Sequence, residues 1–224
     1  MKFIPVLQDV QNVFFDIDNT ITNCVLGYND VGYFEYALAG LLAGVRKIPF
    51  GEALEMALAA EKNHPALDPF CAAKELGMPL ELFRNEIDEM QKRFLMVFED
   101  AVALIKTLKK NGHGLFIASN GQRSRAYAAL KAAGLAGWED SEYFSSLFTP
   151  DVTGFTKSRV EFYARMIAMG DFNPEEMLVI GDNINEDGVI PRRAGVKYSV
   201  IIDRKKLLQA KDTLIVNDLM ELVG

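Results

Sequence analysis

Phe14-Phe15-Asp16-Ile17-Asp18-Asn19-Thr20 reads as an apolar strand that ends in two carboxylates one residue apart. A second apolar run, Met177-Leu178-Val179-Ile180, stops at Gly181-Asp182 and meets a further acid at Asp187. Carboxylates a few ångströms apart repel one another, and stay ionised only beside a cation. Oxygen-only ligands favour a hard ion, Mg²⁺ above all where a phosphate is also present. The two runs therefore predict a metal site where strand ends converge.

Working outward, strands and helices alternate. Strands are expected at Val10–Phe15, Gly114–Ala118, Ser146–Phe148, Met177–Ile180, Tyr198–Ile202 and Leu214–Val216. Between them lie helical stretches at Glu99–Lys110, Gln122–Ala133, Lys157–Met169 and a short one near Gly188–Ala194. This order implies an α/β fold, a Rossmann-like parallel sheet with helices on both faces. In such sheets ligands sit beyond the carboxyl ends of the strands. Asp16, Asp18, Asp182 and the turn Ser119-Asn120-Gly121 all fall there.

Residues 22–98 have a different composition. From Asn23 to Phe98 there is no Ser or Thr, and Val and Ile together number six. So few β-branched residues imply an all-helical insert, leaving 1–21 and 99–224 as the sheet domain. Phe83, Ile87, Met90, Phe94 and Val97 step as one helix face, as do Phe34, Leu38 and Leu41, and Leu54 with Leu58. Asp68-Pro69 has the form of an N-cap with proline at the first helical position; Gly77 closes that helix and Pro79 opens the next. Two connections, near Thr22–Gly27 and Phe98–Asp100, suit a hinged lid.

The remaining features bound the function. A net charge of −7 disfavours broad binding to a nucleic-acid backbone, because proteins that do so usually carry a basic face. Cys24 and Cys71 form no disulfide framework, and no apolar run is long enough to span a bilayer. The N-terminus lacks a signal peptide's apolar stretch. The expectation is a cytoplasmic protein that engages neither membrane nor nucleic acid.

Asp16-Ile17-Asp18-Asn19-Thr20, Ser119, Lys157, and Gly181-Asp182 through Asp187, taken in order, resemble the four motifs of the haloacid dehalogenase (HAD) superfamily. The helical insert between the first two resembles the C1 cap of its phosphatase branches. The resemblance implies a Mg²⁺-dependent phosphatase acting on a small phosphorylated metabolite through an aspartyl-phosphate. It makes Asp16 the nucleophile and Asp18 the general acid and base, with the Asp18 backbone carbonyl on the metal. Asp182 completes the metal set and Asp187 acts from behind it. Ser119, Asn120 and Gly121 hold phosphate oxygens, and Lys157 neutralises Asp16 and the phosphoryl group.

The residues leave other readings open. Ser119-Asn120-Gly121 is also what a plain strand-to-helix turn looks like, and Asp187 could serve only a helix dipole. Family members often carry Lys-Pro where this chain has Lys157-Ser158, and Arg159 is the substitute cation. Ser158 and Glu161 have capping-box spacing, which puts Lys157 at a helix start. A phosphomutase would keep every motif. A haloacid dehalogenase would need neither Mg²⁺ nor a second acid. A non-catalytic metal-binding or interaction module is the reading from another class. Tyr28, Tyr33, Arg46, Lys47, Lys62, His64 and Arg84 are candidates for substrate selection. His113 is expected to be solvated, and Trp138, Tyr143 and Phe144 to pack a connecting segment.

Overall fold

The computed structural model describes residues 5–23, 32–64, 68–208 and 213–223. Cys24, Tyr28, Pro65 and most of the Thr22–Gly27 connection lie outside them. The chain divides into two compact units, Met1–Asn23 with Val97–Gly224, and Cys24–Met96.

In the first unit, strands β1 (Asn12–Phe15), β2 (Gly114–Ala118), β3 (Ser146–Phe148), β4 (Met177–Gly181), β5 (Tyr198–Ile202) and β6 (Leu214–Val216) form one parallel sheet, in the order β3-β2-β1-β4-β5-β6. β1 lies between β2 and β4, with Phe15 level with Ile117 on one side and Ile180 on the other. Strands buried on both faces must be apolar at every position, so these are runs rather than alternating patterns. Val13, Phe15, Leu115, Ile117, Leu178 and Ile180 face Leu104, Ile105 and Leu108 of α5 (Glu99–Lys110) and Ala126 and Leu130 of α6 (Arg123–Ala132). Phe14, Phe116, Phe148 and Val179 face the opposite layer, with Phe162, Tyr163 and Met166 of α8 (Val160–Gly170), which follows the one-turn helix α7 (Pro150–Thr153). There Phe14 stacks on Phe116 at 4.9 Å between ring centroids and meets the edge of Phe172 at 5.1 Å.

From β1 the chain winds outward to β2 and β3, then returns to place β4 on the other side of β1. That reversal opens a crevice beyond the carboxyl ends of β1 and β4. Asp16 and Asp182 follow those two ends directly.

The second unit comprises α1 (Tyr33–Arg46), α2 (Phe50–Lys62), α3 (Pro69–Glu75) and α4 (Leu80–Phe94). Phe70 packs against Phe83 at 5.1 Å and Phe34 at 6.4 Å. The Asp68 side chain caps α3 by accepting from Phe70 N–H, and Gly77 takes a left-handed φ of +74° just beyond it. Two expected faces differ. Along α2 it is Ala53, Ala57 and Ala60 that are buried, with Leu54 and Leu58 only half-buried. The α4 face runs Phe83, Ile87, Gln91; Gln91 Nε2 donates to Tyr33 Oη at 3.0 Å, and Phe94 is exposed where the helix ends.

Two helix boundaries also differ. α8 begins at Val160, so Lys157 precedes the helix by three residues. The Ser158–Glu161 capping box does not form: Ser158 Oγ pairs with Thr156 Oγ1 at 2.8 Å, and Glu161 pairs with Arg159 at 2.7 Å. In place of a single short helix, Ile184–Val189 forms a wide π-type turn that runs into α9 (Ile190–Arg193). His113 is half-buried, and its Nδ1–H donates to Val10 O at 3.0 Å.

Candidate active site

The first-motif loop is a tight turn. The N–H groups of Thr20, Ile21 and Thr22 all donate to Ile17 O, at 3.2, 2.9 and 3.0 Å. Asn19 closes it at φ +59°, a left-handed conformation that asparagine adopts more readily than most residues. Asp16 N–H donates to Ile180 O at 2.8 Å, continuing the sheet by one residue. This delivers a buried Asp16 carboxylate to the crevice, with Asp18 more open to solvent beside it.

Asp187 arrives through a reciprocally capped turn. Asn183 Oδ1 accepts from Asn185 and Glu186 N–H at 3.0 and 3.1 Å, Asp187 N–H donates to Asn183 O at 2.8 Å, and Asn183 N–H donates to Asp187 Oδ2 at 3.1 Å. Gly181 makes room: a Cβ there would collide with the Asp187 carboxyl. Asp187 is 1% exposed, so it is no solvated dipole acid. Ligand oxygens of Asp16, Asp182 and Asp187 lie within 4.8 Å of one another.

Lys157 is the cation among them. It is 2% exposed, and its Nζ lies 2.6 Å from Asp16 Oδ1 and 2.6 Å from Asp187 Oδ1. Arg159 is an exposed residue paired with Glu161. The turn that places Lys157 is held by Asn120, whose Oδ1 accepts Lys157 N–H at 2.7 Å and whose Nδ2 donates to Glu186 Oε2 at 2.8 Å. The Asn120 side chain is thus engaged within the protein. Ser119 is buried at the end of β2, and its Oγ accepts from Gly121 N–H at 3.1 Å.

Crowded acids shape the electrostatics. Burial pushes the Asp16 carboxyl well above the usual carboxylate range; Lys157 pulls it back, while Asp187 and Asp18 raise it further. Asp182 is raised, first by burial and then by Asp187, against a hydrogen bond from Asn19 and the charge of Lys157. Asp18 reaches solvent at its outer edge but is partly desolvated by the site around it and is raised too, with Asp182 acting against Lys157 and Arg125. Burial alone would lower Lys157, but Asp16 and Asp187 more than reverse that and leave it well above its ordinary value. Among the described residues, Lys157 and the Arg125 guanidinium that acts on Asp18 still leave a negative excess against the four carboxylates. The oxygen-only donor set fits a hard divalent cation. So does Asp187 Oδ1, a buried oxygen that accepts no hydrogen bond of good geometry among the described residues despite its contact with Lys157.

Sequence reasoning missed three residues that hold the site. Asn19 Nδ2 donates to Asp182 Oδ2 at 3.1 Å. Tyr163, wholly buried, donates from Oη to Glu186 O at 2.8 Å, and Glu186 carries Asn120. For Asn19 a local signal existed, asparagine in a turn position; Tyr163 and Glu186 carry none. His64 Nε2 lies 2.8 Å from Glu75 Oε2 within the helical unit.

The haloacid dehalogenase-like hydrolase family profile matches residues 10–195. A comparison with curated proteins found no match. Among solved structures, a HAD phosphatase from Thermococcus onnurineus is 21% identical, with 95% of this chain and 96% of that one covered and a TM-score of 0.60. YfnB from Bacillus subtilis, in a magnesium-bound form that reveals interdomain movement, is 22% identical over 95% of this chain and 96% of its own, with a TM-score of 0.56. An L-2-haloacid dehalogenase is 19% identical over 95% and 97%, with a TM-score of 0.58. These similarities establish the shared fold. No helix among the described residues is long and apolar enough to cross a membrane.

Proposed function

The chain belongs to the haloacid dehalogenase-like hydrolase family, and from that premise we propose that it is a Mg²⁺-dependent phosphatase of the C1-capped branch. Its substrate in this reading is a small phosphomonoester, hydrolysed through an aspartyl-phosphate. The observation that carries the reading is the trio Asp16, Asp182 and Asp187 gathered around buried Lys157. Displacement of a halide needs no metal and no second acid beside the nucleophile, whereas phosphoryl transfer uses both.

A phosphate dianion repels nucleophiles, so its transfer needs an aimed nucleophile, positive charge and a proton for the leaving oxygen. Asp16 is aimed: Lys157 holds Oδ1, and Thr20 Oγ1 lies 3.5 Å from Oδ2. Its attack on phosphorus forms the covalent intermediate as the bond to the leaving alkoxide breaks. Asp18, raised by its surroundings, retains its proton to a higher pH than a free carboxyl and donates it to that alkoxide. The resulting carboxylate takes a proton from the water that attacks the phosphoenzyme. Ser119 bounds the phosphoryl pocket, and Lys157 neutralises charge on the transferred group. Asp16, Asp182, Asp187 and the Asp18 backbone carbonyl are the groups that would hold Mg²⁺. The ion, when bound, would keep the Asp16, Asp182 and Asp187 carboxylates ionised and offset phosphoryl charge.

A screen of phosphorylated metabolites and p-nitrophenyl phosphate tests this. Release of inorganic phosphate with Mg²⁺, abolished by EDTA, is expected. Halide release from 2-chloropropionate unaffected by EDTA would make it a dehalogenase. A phosphosugar rearranged with no phosphate released would make it a mutase. No turnover of any of these would leave a binding module.

A further inference from the structure

Two residues beyond β5 the chain turns back toward the first motif. Asp203 builds that turn: its carboxylate accepts from Lys205 and Leu208 N–H at 3.2 and 2.6 Å, and its own N–H donates to Val216 O at 2.8 Å. The turn presents Arg204. Its Nε donates to Asn19 O at 3.0 Å and its Nη2 to Thr20 O at 2.7 Å. Nη1 lies 3.1 Å from Asp100 Oδ1 at the start of α5, and the guanidinium carbon sits 3.6 Å from the centre of the Phe98 ring. Asp100 is fixed in turn by Leu219 N–H at 2.9 Å.

We propose that Arg204 is a positioning residue for the acids of the site, acting through the successive Asn19 and Thr20 carbonyls. The turn after Asp18 directs its N–H groups onto Ile17 O, and the Asn19 and Thr20 carbonyls receive the guanidinium fork from outside it. Asp18 stands immediately before these two residues. Asn19 carries the effect across the crevice, because its side chain donates to Asp182. One planar cation thus fixes both the backbone beside Asp18 and the orientation of Asp182. Only arginine offers donors in this geometry while also stacking on an aromatic ring; lysine does not. The same guanidinium rests on Phe98, whose N–H donates to Ile21 O at 2.9 Å, so it also braces the point where the chain leaves and re-enters the sheet unit.

The rival is a staple that merely ties the β5 loop to α5, and Asp100 separates the two. Arg204→Ala, Arg204→Lys and Asp100→Asn are compared with wild type in the full-length chain. Arg204→Lys keeps charge and stem in case the alanine variant fails to fold. Amide hydrogen exchange over residues 17–22 is expected to quicken at least about tenfold in both Arg204 variants, with β2 and α8 unchanged. Asp100→Asn, which keeps the fork on Asn19 and Thr20, should change it less. The kinetic arm rests on the phosphatase reading: kcat on an aryl phosphate should fall roughly 10- to 100-fold with KM within about twofold, the pattern of misplaced acids rather than lost binding. Unchanged exchange at 17–22 in the Arg204 variants would overturn the proposal, as would Asp100→Asn matching them. A wild type that hydrolyses no phosphate defeats the functional reading instead, and the exchange arm then decides alone.

Discussion

At the scale of single residues, Asp16 and Asp18 are one residue apart and differ in surroundings: Asp16 is buried on Lys157, while Asp18 keeps access to solvent. Their amides should therefore fail differently. Asp16→Asn removes the nucleophile, so no phosphoenzyme forms. Asp18→Asn removes proton transfer, and turnover should fall by about 10²–10⁴-fold. With an acyl or aryl phosphate the first half-reaction scarcely needs an acid, so Asp18→Asn should accumulate phosphate on Asp16. Rapid-quench mass spectrometry decides; phosphate on Ser119, or retained in Asp16→Asn, would overturn the assignment. The same contrast applies to the cations. Lys157→Ala should lower kcat on the order of 10²–10³-fold, as loss of a preorganised charge partner does. Arg159→Ala, which breaks only an exposed pair with Glu161, should change it little. Equal losses in the two variants would refute the placement of Lys157 in the reaction.

At the scale of elements, the β4-to-α9 connection depends on one missing methyl group. Alanine at Gly181 would place Cβ on the Asp187 carboxyl and push it off Lys157 and away from Asp16. Gly181→Ala should cost roughly 1–3 kcal/mol through overpacking and on the order of 10²-fold in kcat, read by thermal unfolding and initial rates. A variant with both unchanged would show that Asp187 has room to move. The strands themselves were legible because a strand buried on both faces is written in a few consecutive apolar residues ending at Asp16, Ser119 or Gly181. Where local pattern and distant partner disagreed, the partner prevailed. Ser158 and Glu161 mimic a capping box, yet Asn120 takes the Lys157 N–H, and Asp16 and Asp187 take its ammonium, so the helix starts later. The α2 face departs from its leucine pattern because leucine outranks alanine in any hydrophobicity count, while close-packed helices favour the smaller residue. Arg204 could not be found from sequence at all: its partners Asn19 and Thr20 lie more than 180 positions away.

At the scale of the whole molecule, the site opposes folding until a cation arrives, and pH exposes this. The folded pKa values of Asp16, Asp18 and Asp182 are raised above an unfolded value near 3.9. Below that value both states are protonated and the contribution of these groups to stability is whole. As pH rises past it, the unfolded chain releases protons first, so the contribution is lost until pH has passed the folded values. Asp16→Asn cannot ionise and escapes its share of that loss. In EDTA, the unfolding midpoint of Asp16→Asn relative to wild type should therefore climb as pH rises from about 4. Mg²⁺ should reverse the order, because only the wild type keeps the full ligand set. At a Mg²⁺ concentration 100 times its Kd the wild type gains about 2.7 kcal/mol. At 2–4 °C per kcal/mol for a chain of this length that is roughly 5–10 °C. Differential scanning calorimetry of both proteins, with EDTA and with Mg²⁺ at several pH values, reads all of this directly. Two proteins whose midpoints run parallel across pH, with neither responding to Mg²⁺, would mean that Lys157 alone neutralises these acids and that no metal belongs among them.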